Sequence, residues 1–455
     1  MSAQLTALTD KPVGRLLWSY SLPAVVGMLV MSLYNVFDRI IIGQVVGADA
    51  IAGLTVTFPV MNLSAAVGVL IGVGSSARIS ILLGQKRHAD AEMVLGNALL
   101  WTLINASIYL TLLAVFLDPI LMAFGASDVT LPYARDFMSV ILPGMLVMNV
   151  TFSFNNVMRA SGYPLRAMTT MLIGAVLNVV LVMLFVLGLG FGIKGAALAT
   201  DIAMSVSAAF VMCHFMRKGS TLRFRRGIYR LRWSVFVDIA GIGAAPSVVN
   251  AAACLINIIL NRSLYKYGGD SAIGAAGVFV TYTSLLTSVI IGMAQGLQPI
   301  LGYNYGAGRY DRLRRAFVMA SSTAVLICSV GTIGGLFFPE AIARAFTVDA
   351  GLIAQVGLAL PAAMKAFWFV GFQIIATCLF QSIGMAGRSI FLSLTRQVLF
   401  LIPLLCLLPR MWGLTGIWSS FALSDVAATV VAAVMVCRLL KSLDDVQPLA
   451  EVKTF

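Results

Sequence analysis

Stretches of about 20 apolar residues recur along the whole chain, and no polar stretch between them is long enough to make a soluble domain. Composition agrees. Of 455 residues, 60% are hydrophobic and only 11% charged, with a mean hydropathy of +0.96, whereas a soluble domain carries about a quarter charged residues. The chain therefore reads as an all-α polytopic membrane protein. Its first residues, MSAQLTALTDKPVGRLLW, are too polar for a signal-peptide core, and the apolar segment that follows is too long for one, so no cleavage is expected.

Twelve transmembrane helices are expected, at 16–43, 54–82, 94–117, 134–158, 167–188, 194–216, 235–261, 274–302, 313–337, 354–380, 389–408 and 413–438. The loops between them alternate in charge. One set holds Lys11, Arg15, Lys86, Arg87, Arg159, Arg166, the 217–232 and 309–315 runs, Arg388, Arg438 and Lys441. The other holds Asp49, Asp118, Asp128, Asp270, Glu340 and Asp349, with few bases. Basic loops stay on the cytoplasmic side, so both termini are expected there. The same rule accounts for the net charge of +13 without a nucleic-acid partner. The six cysteines (213, 254, 328, 378, 406, 437) are scattered singly in or beside apolar spans, the usage of small hydrophobes rather than of a disulfide framework.

A basic run, RKGSTLRFRRGIYRLR at 217–232, divides an internal repeat. Pro23 pairs with Pro246, Gly74 and Gly84 with Gly296 and Gly306, and Leu142-Pro143 with Leu360-Pro361. RASGYPLR at 159–166 aligns with QSIGMAGR at 381–388, and GIKGAA at 192–197 with GLTGIW at 413–418. Two copies of an even number of helices share one membrane sense, which places a substrate path between two pseudo-symmetric six-helix lobes. The expected organisation is an N-terminal lobe at 1–216, a linker at 217–234, a C-terminal lobe at 235–440 and a cytoplasmic tail at 441–455. The linker's seven bases and lack of acids suit contact with anionic headgroups.

Enzyme signatures are absent: there is no HExxH, GxSxG or Walker A motif, and the only histidines are His88 and His214. Gly190, Gly192 and Gly195 spell GxGxxG, but no strand precedes them, so they read as a turn rather than a dinucleotide site. The costly residue is Asp38, in LYNVFDRIIIG at 33–43. A carboxylate in a spanning helix costs roughly 2.5–3.5 kcal/mol on insertion scales and marks function by default. Asn178, Thr200 and Asp201 fall at the same expected depth, in the outer half of the N-terminal lobe. Together the four suit a proton or a small cation, with Na⁺ at Asp38, Asn178 and Asp201. Pro23, about 22 Å below Asp38 at 1.5 Å per residue, is the candidate hinge. In the C-terminal half Gln295, Gln298, Asn257, Gln373 and Lys365 are candidates for the substrate cavity, with Arg396, Gln397, Gln381 and Asp425 also polar within spans.

Taken together, LYNVFDRIIIG with VGADAIAG, GAALAT at 195–200, GLQPILGYNYGAG at 296–308, and FQSIG with SLTRQVLFLIPLL at 380–405 resemble the multidrug and toxic compound extrusion (MATE) family. The last two stretches look closest to its MepA-like bacterial branch. The resemblance covers essentially the whole chain. It implies a monomeric exporter of the bacterial inner membrane that exchanges cationic amphipathic compounds for H⁺ or Na⁺, with no cofactor and no enzymatic activity. The family's ion-site acid, asparagine and threonine map onto Asp38, Asn178 and Thr200, and its bending proline onto Pro23. Its Asn-x-x-x-Asp motif departs here to Asn178-Val-Val-Leu-Val182, so Asp201 is expected to replace the missing acid. The alternative is a lipid-linked-precursor or polysaccharide flippase of the same architecture, with Lys365 and Arg396 meeting phosphate.

Overall fold

A computed structural model describes residues 8–444 apart from 47, 226 and 348, so the expected tail lies outside the described residues from 445 on. All the elements described are helices. A bilayer core offers no water to the backbone, and helices satisfy N–H and C=O groups within one segment. In chain order the long ones are α1 (Val13–Val45), α2 (Ala48–Gly84), α3 (His88–Val115), α4 (Leu131–Ala160), α5 (Pro164–Val182), α6 (Gly192–Met216), α7 (Trp233–Gly269), α8 (Ser271–Gly306) and α9 (Tyr310–Phe337). Next come α10, in two pieces (Ala350–Met364 and Trp368–Ser382) bent by 50°, and a 58-residue segment, Ala386–Leu443.

By length and hydropathy, ten described helices are candidate spans and the bent pair is an eleventh. The twelfth is hidden in Ala386–Leu443, which would run about 87 Å if straight, against a hydrocarbon core of about 30 Å. Gly413, at φ 55°, breaks it into α11 (386–412) and α12 (414–443). Only glycine takes such a backbone conformation without strain. Gly269, at φ 66°, does the same between α7 and α8. Twelve spanning helices in two lobes result.

The repeat is visible in backbone angles. Lys86 (φ 61°) and Gly308 (φ 68°) hold the same left-handed turn position, and Arg87 and Arg309, which follow, share φ −91° and ψ 67°. Gly162 (φ 97°) answers Gly384 (φ 82°), and Gly192 (φ 56°) answers Gly413 (φ 55°).

Glycines also let the lobes touch. A Cβ on Gly74 or Gly243 would overlap the carbonyl of Ile239 or Leu70, joining α2 to α7. A Cβ on Gly84 or Gly306 would overlap the carbonyl of Tyr303 or Ile81, joining α2 to α8 at the basic-loop end. Gly292 and Gly296 bring α8 against α1, where added Cβ atoms would lie 2.7 Å from Val25 Cα and 2.5 Å from Ser21 Cα. At the opposite end Leu33, Val36 and Leu285 are exposed. The linker before α7 is held under α3: Asn97 donates to Arg230 O (3.1 Å) and accepts from Arg232 N (2.8 Å), and Arg225 pairs with Glu92 (3.1 Å).

Candidate functional site

Three of the four expected ion-site residues come together. Asp38 lies near the end of α1, Asn178 is fully buried on α5, and Thr200 faces it from α6. Their heavy atoms suit two proton arrangements, because an amide's oxygen and nitrogen are assigned from the network around them. In one, the Asn178 amide nitrogen donates to both carboxylate oxygens of Asp38 (3.0 and 3.1 Å) while its oxygen accepts from Thr200 Oγ1 at 2.9 Å. This suits an ionised Asp38, which only accepts. In the other, the amide nitrogen donates to Thr200 Oγ1 (2.9 Å), and Thr200 donates to Ala196 O (3.0 Å). The amide oxygen then faces Asp38, which suits a protonated carboxyl. A half-turn of one amide thus separates the two states.

Asp201 does not join them. A step of one residue turns a helix by about 100°, so if Thr200 faces α5, Asp201 faces elsewhere. Its carboxylate lies on α4 over Gly144, where a Cβ would overlap it, and its Oδ1 has no hydrogen-bond partner. The expectation that Asp201 supplies the missing acid beside Asp38 is therefore corrected by azimuth: its carboxylate meets α4 and not α5. Pro23 is buried within a continuous α1. It sits where Ser21 and Val25 meet α8, with Ser21 donating to Met293 O at 3.3 Å. α1 is thus attached to the C-terminal lobe on both sides of Pro23, and its far end carries Asp38 to α5 and α6.

Between the lobes lies a cavity of about 540 Å³. Gln295, Gln298 and Gln373 line it, as expected. Asn257 and Lys365 do not; both are exposed on other faces of their helices, Lys365 at the break in α10. The sequence reading missed Arg159 and the Asn155-Asn156 pair, assigning the arginine to a cytoplasmic loop. The structure folds it inward at 3% exposure, lining the cavity from the last turn of α4. The signal was there in the spacing, since Arg159 lies four residues after Asn155 and three after Asn156, so each amide neighbours it on the helix surface. On the other lobe a π-helical stretch, Thr395–Leu401, presents Arg396 and Gln397, and Arg396 Nε donates to the buried Asp425 at 2.7 Å. Such π turns shift register by a residue and occur often at functional sites. The ion cluster stands one to two turns beyond this cavity: Met31, Gly174 and Met204 line the cavity on the helices that carry Asp38, Asn178 and Thr200.

The family model described as MatE matches twice, over residues 23–184 and 246–407. The chain belongs to the MatE family. The doubled match falls on the two lobes, and residues 185–245 between them contain the linker. Among relatives of this MatE protein is the multidrug export protein MepA of Staphylococcus aureus strain NCTC 8325, 26% identical over 443 residues and 96% of each chain. The structure is also similar to that of the MATE multidrug transporter DinF-BH, with 34% identity, a TM-score of 0.88, and 96% of this chain and 98% of that one covered. An outward-facing MATE family transporter of the MOP superfamily superposes with a TM-score of 0.92 at 23% identity, covering 98% and 100% of the two chains, a likeness of fold. This chain is thus a multi-pass membrane protein of a multidrug transporter family, MepA-like in sequence.

Proposed function

We propose that this protein is a secondary active exporter that exchanges amphipathic compounds for H⁺ or Na⁺ by alternating access. The observation that carries the reading is the Asp38–Asn178–Thr200 cluster on the helices that also wall the cavity. A coupling cation entering from outside neutralises Asp38, and the Asn178 amide turns over. α1, attached to α8 on both sides of Pro23, transmits the change to the contact between lobes. A cationic substrate group meets the same carboxylate from the cavity side, so cation and substrate compete for it. With the basic loops on the cytoplasmic side, as in a bacterial inner membrane, the lobes are closed inward and the cavity faces out. Inward movement of the coupling cation then gains ~2.3 kcal/mol per 100 mV.

For Na⁺, the cluster offers oxygens from one carboxylate, one amide and one hydroxyl; for H⁺, it offers the carboxylate alone. The flippase alternative loses Lys365, which lies off the cavity, and Arg396 already has a carboxylate partner. The test is dye efflux from proteoliposomes with pH and Na⁺ gradients imposed separately. Transport driven by either gradient supports the proposal. Movement indifferent to both refutes it.

A further inference from the structure

We propose that the cavity holds an anionic group of its substrate at Arg159, so that compounds bearing a carboxylate or a similar acid, zwitterions included, are among those carried. The proposal rests on the exporter reading above and deepens it by naming a substrate class.

Four observations support it. The first is charge. Among the described residues, the only charged side chains lining the cavity are Arg159 and Arg396, and no aspartate or glutamate lines it. The second is pairing. Asp425 neutralises Arg396 (2.7 Å), whereas Arg159 has no ion pair among the described residues. The Arg159 Nη2 donates to Asn156 Oδ1 (2.7 Å), but its Nη1 is buried with no acceptor. A buried guanidinium without a counter-charge is costly, and arginine has donors only, so its complement is an acceptor that carries negative charge.

The third is the repeat. Gln381 is the counterpart of Arg159 in the aligned segments 159–166 and 381–388; it too lines the cavity and leaves its Nε2 without a partner. Each lobe therefore contributes one unmatched donor at the matching position. The fourth is what lies elsewhere in the cavity. The amides of Gln295, Gln373 and Gln397 each leave a buried atom unmatched, and an amide can turn to present either its oxygen or its nitrogen. Gln373 and Gln381 are about 12 Å apart along α10 at 1.5 Å per residue. An amide able to accept at Gln373, that far from the donor at Gln381, fits an amphiphile with an acid at one end and a donor group further along.

Three xanthene dyes with one ring system test this: a cationic ester, its zwitterionic free acid, and carboxyfluorescein. Binding to the purified full-length protein in detergent is read by fluorescence anisotropy. The free acid is expected to bind wild type more tightly than the ester. Arg159→Gln is expected to weaken the free acid about tenfold or more, the scale of a charge-assisted hydrogen bond, and to leave the ester within about twofold. Arg159→Lys should restore part of the loss. Tighter binding of the ester than of the free acid to wild type overturns the inference, and that comparison needs no variant. Equal losses for both dyes in Arg159→Gln overturn it as well. Arg159-dependent binding of phosphatidic acid in mixed micelles, with none of the free acid or carboxyfluorescein, makes the site a lipid headgroup site and overturns the substrate assignment. If the free acid binds at Arg159 but no gradient moves any dye, the anion site stands and the exporter reading fails.

Discussion

Replacing Gly306 by alanine wedges the two lobes apart at their closed end. The new Cβ overlaps the Ile81 carbonyl oxygen and lies 2.9 Å from its carbon and 3.0 Å from its Cα. Ordinary contacts begin at 3.4 Å, and the obstacle is backbone, which has no rotamer to change. The helices α2 and α8 must therefore separate, at the 1–3 kcal/mol typical of overpacking. That cost falls only on the conformation in which they touch. If a second conformation parts the lobes here, the equilibrium moves towards it by about 5- to 150-fold. Gly84→Ala, facing the Tyr303 carbonyl across the same contact, should act alike, and the double variant should show less than the sum because one separation relieves both. The assay is the distance between spin labels at the exposed positions Arg87 and Arg315, one on each lobe, with the native cysteines replaced. A longer population should grow in Gly306→Ala and not in Gly387→Ala, where a Cβ meets nothing within 4 Å. An unchanged distribution in a folded Gly306→Ala protein would refute alternating access at this contact.

Other consequences follow from the same geometry. Arg396→Leu strands Asp425, whose side chain is 3% exposed, and should lower stability by about 3–5 kcal/mol. Asp425→Leu should cost less, because Arg396 is 26% exposed at the cavity edge; thermal unfolding in detergent checks the order, and its reversal would contradict the pairing described. Asn178→Ala removes the amide that links Asp38 to Thr200 and should reduce ion-driven transport about tenfold or more, on the scale of a hydrogen bond to a charged group. Asp201→Asn, off that cluster, should retain more transport than Asn178→Ala; equal loss would return Asp201 to the ion site. Lys365→Ala and Asn257→Ala, both exposed away from the cavity, should leave dye affinity within about twofold in a binding titration, the near-neutral effect expected of surface positions.

Much of this was legible in the residues, and the limits have a physical cause. Span length and charge alternation report depth along the membrane normal, which is why Asp38, Asn178 and Thr200 were placed at one level. They do not report azimuth, so Thr200 and Asp201 looked equivalent although one faces α5 and the other α4. The same blindness assigned Asn257 and Lys365 to the cavity. Arg159 was misplaced for a different reason. The positive-inside rule treats an arginine at a span's end as a loop residue, and nothing in it distinguishes one folded back against Asn156. The repeat was read correctly from glycines, since each paired position is fixed by backbone angle or close approach, constraints that few other residues meet.

The central claim is that Asp38 couples ion movement to export. Its most direct test is gradient-driven dye transport by Asp38→Asn in proteoliposomes, beside dye binding to the same purified variant. Asparagine keeps the shape and a hydrogen bond to Asn178 but cannot lose or gain the charge. The account predicts a folded protein that still binds dye and shows no transport response to either a pH or a Na⁺ gradient. Gradient-driven transport at the wild-type rate in Asp38→Asn would contradict it.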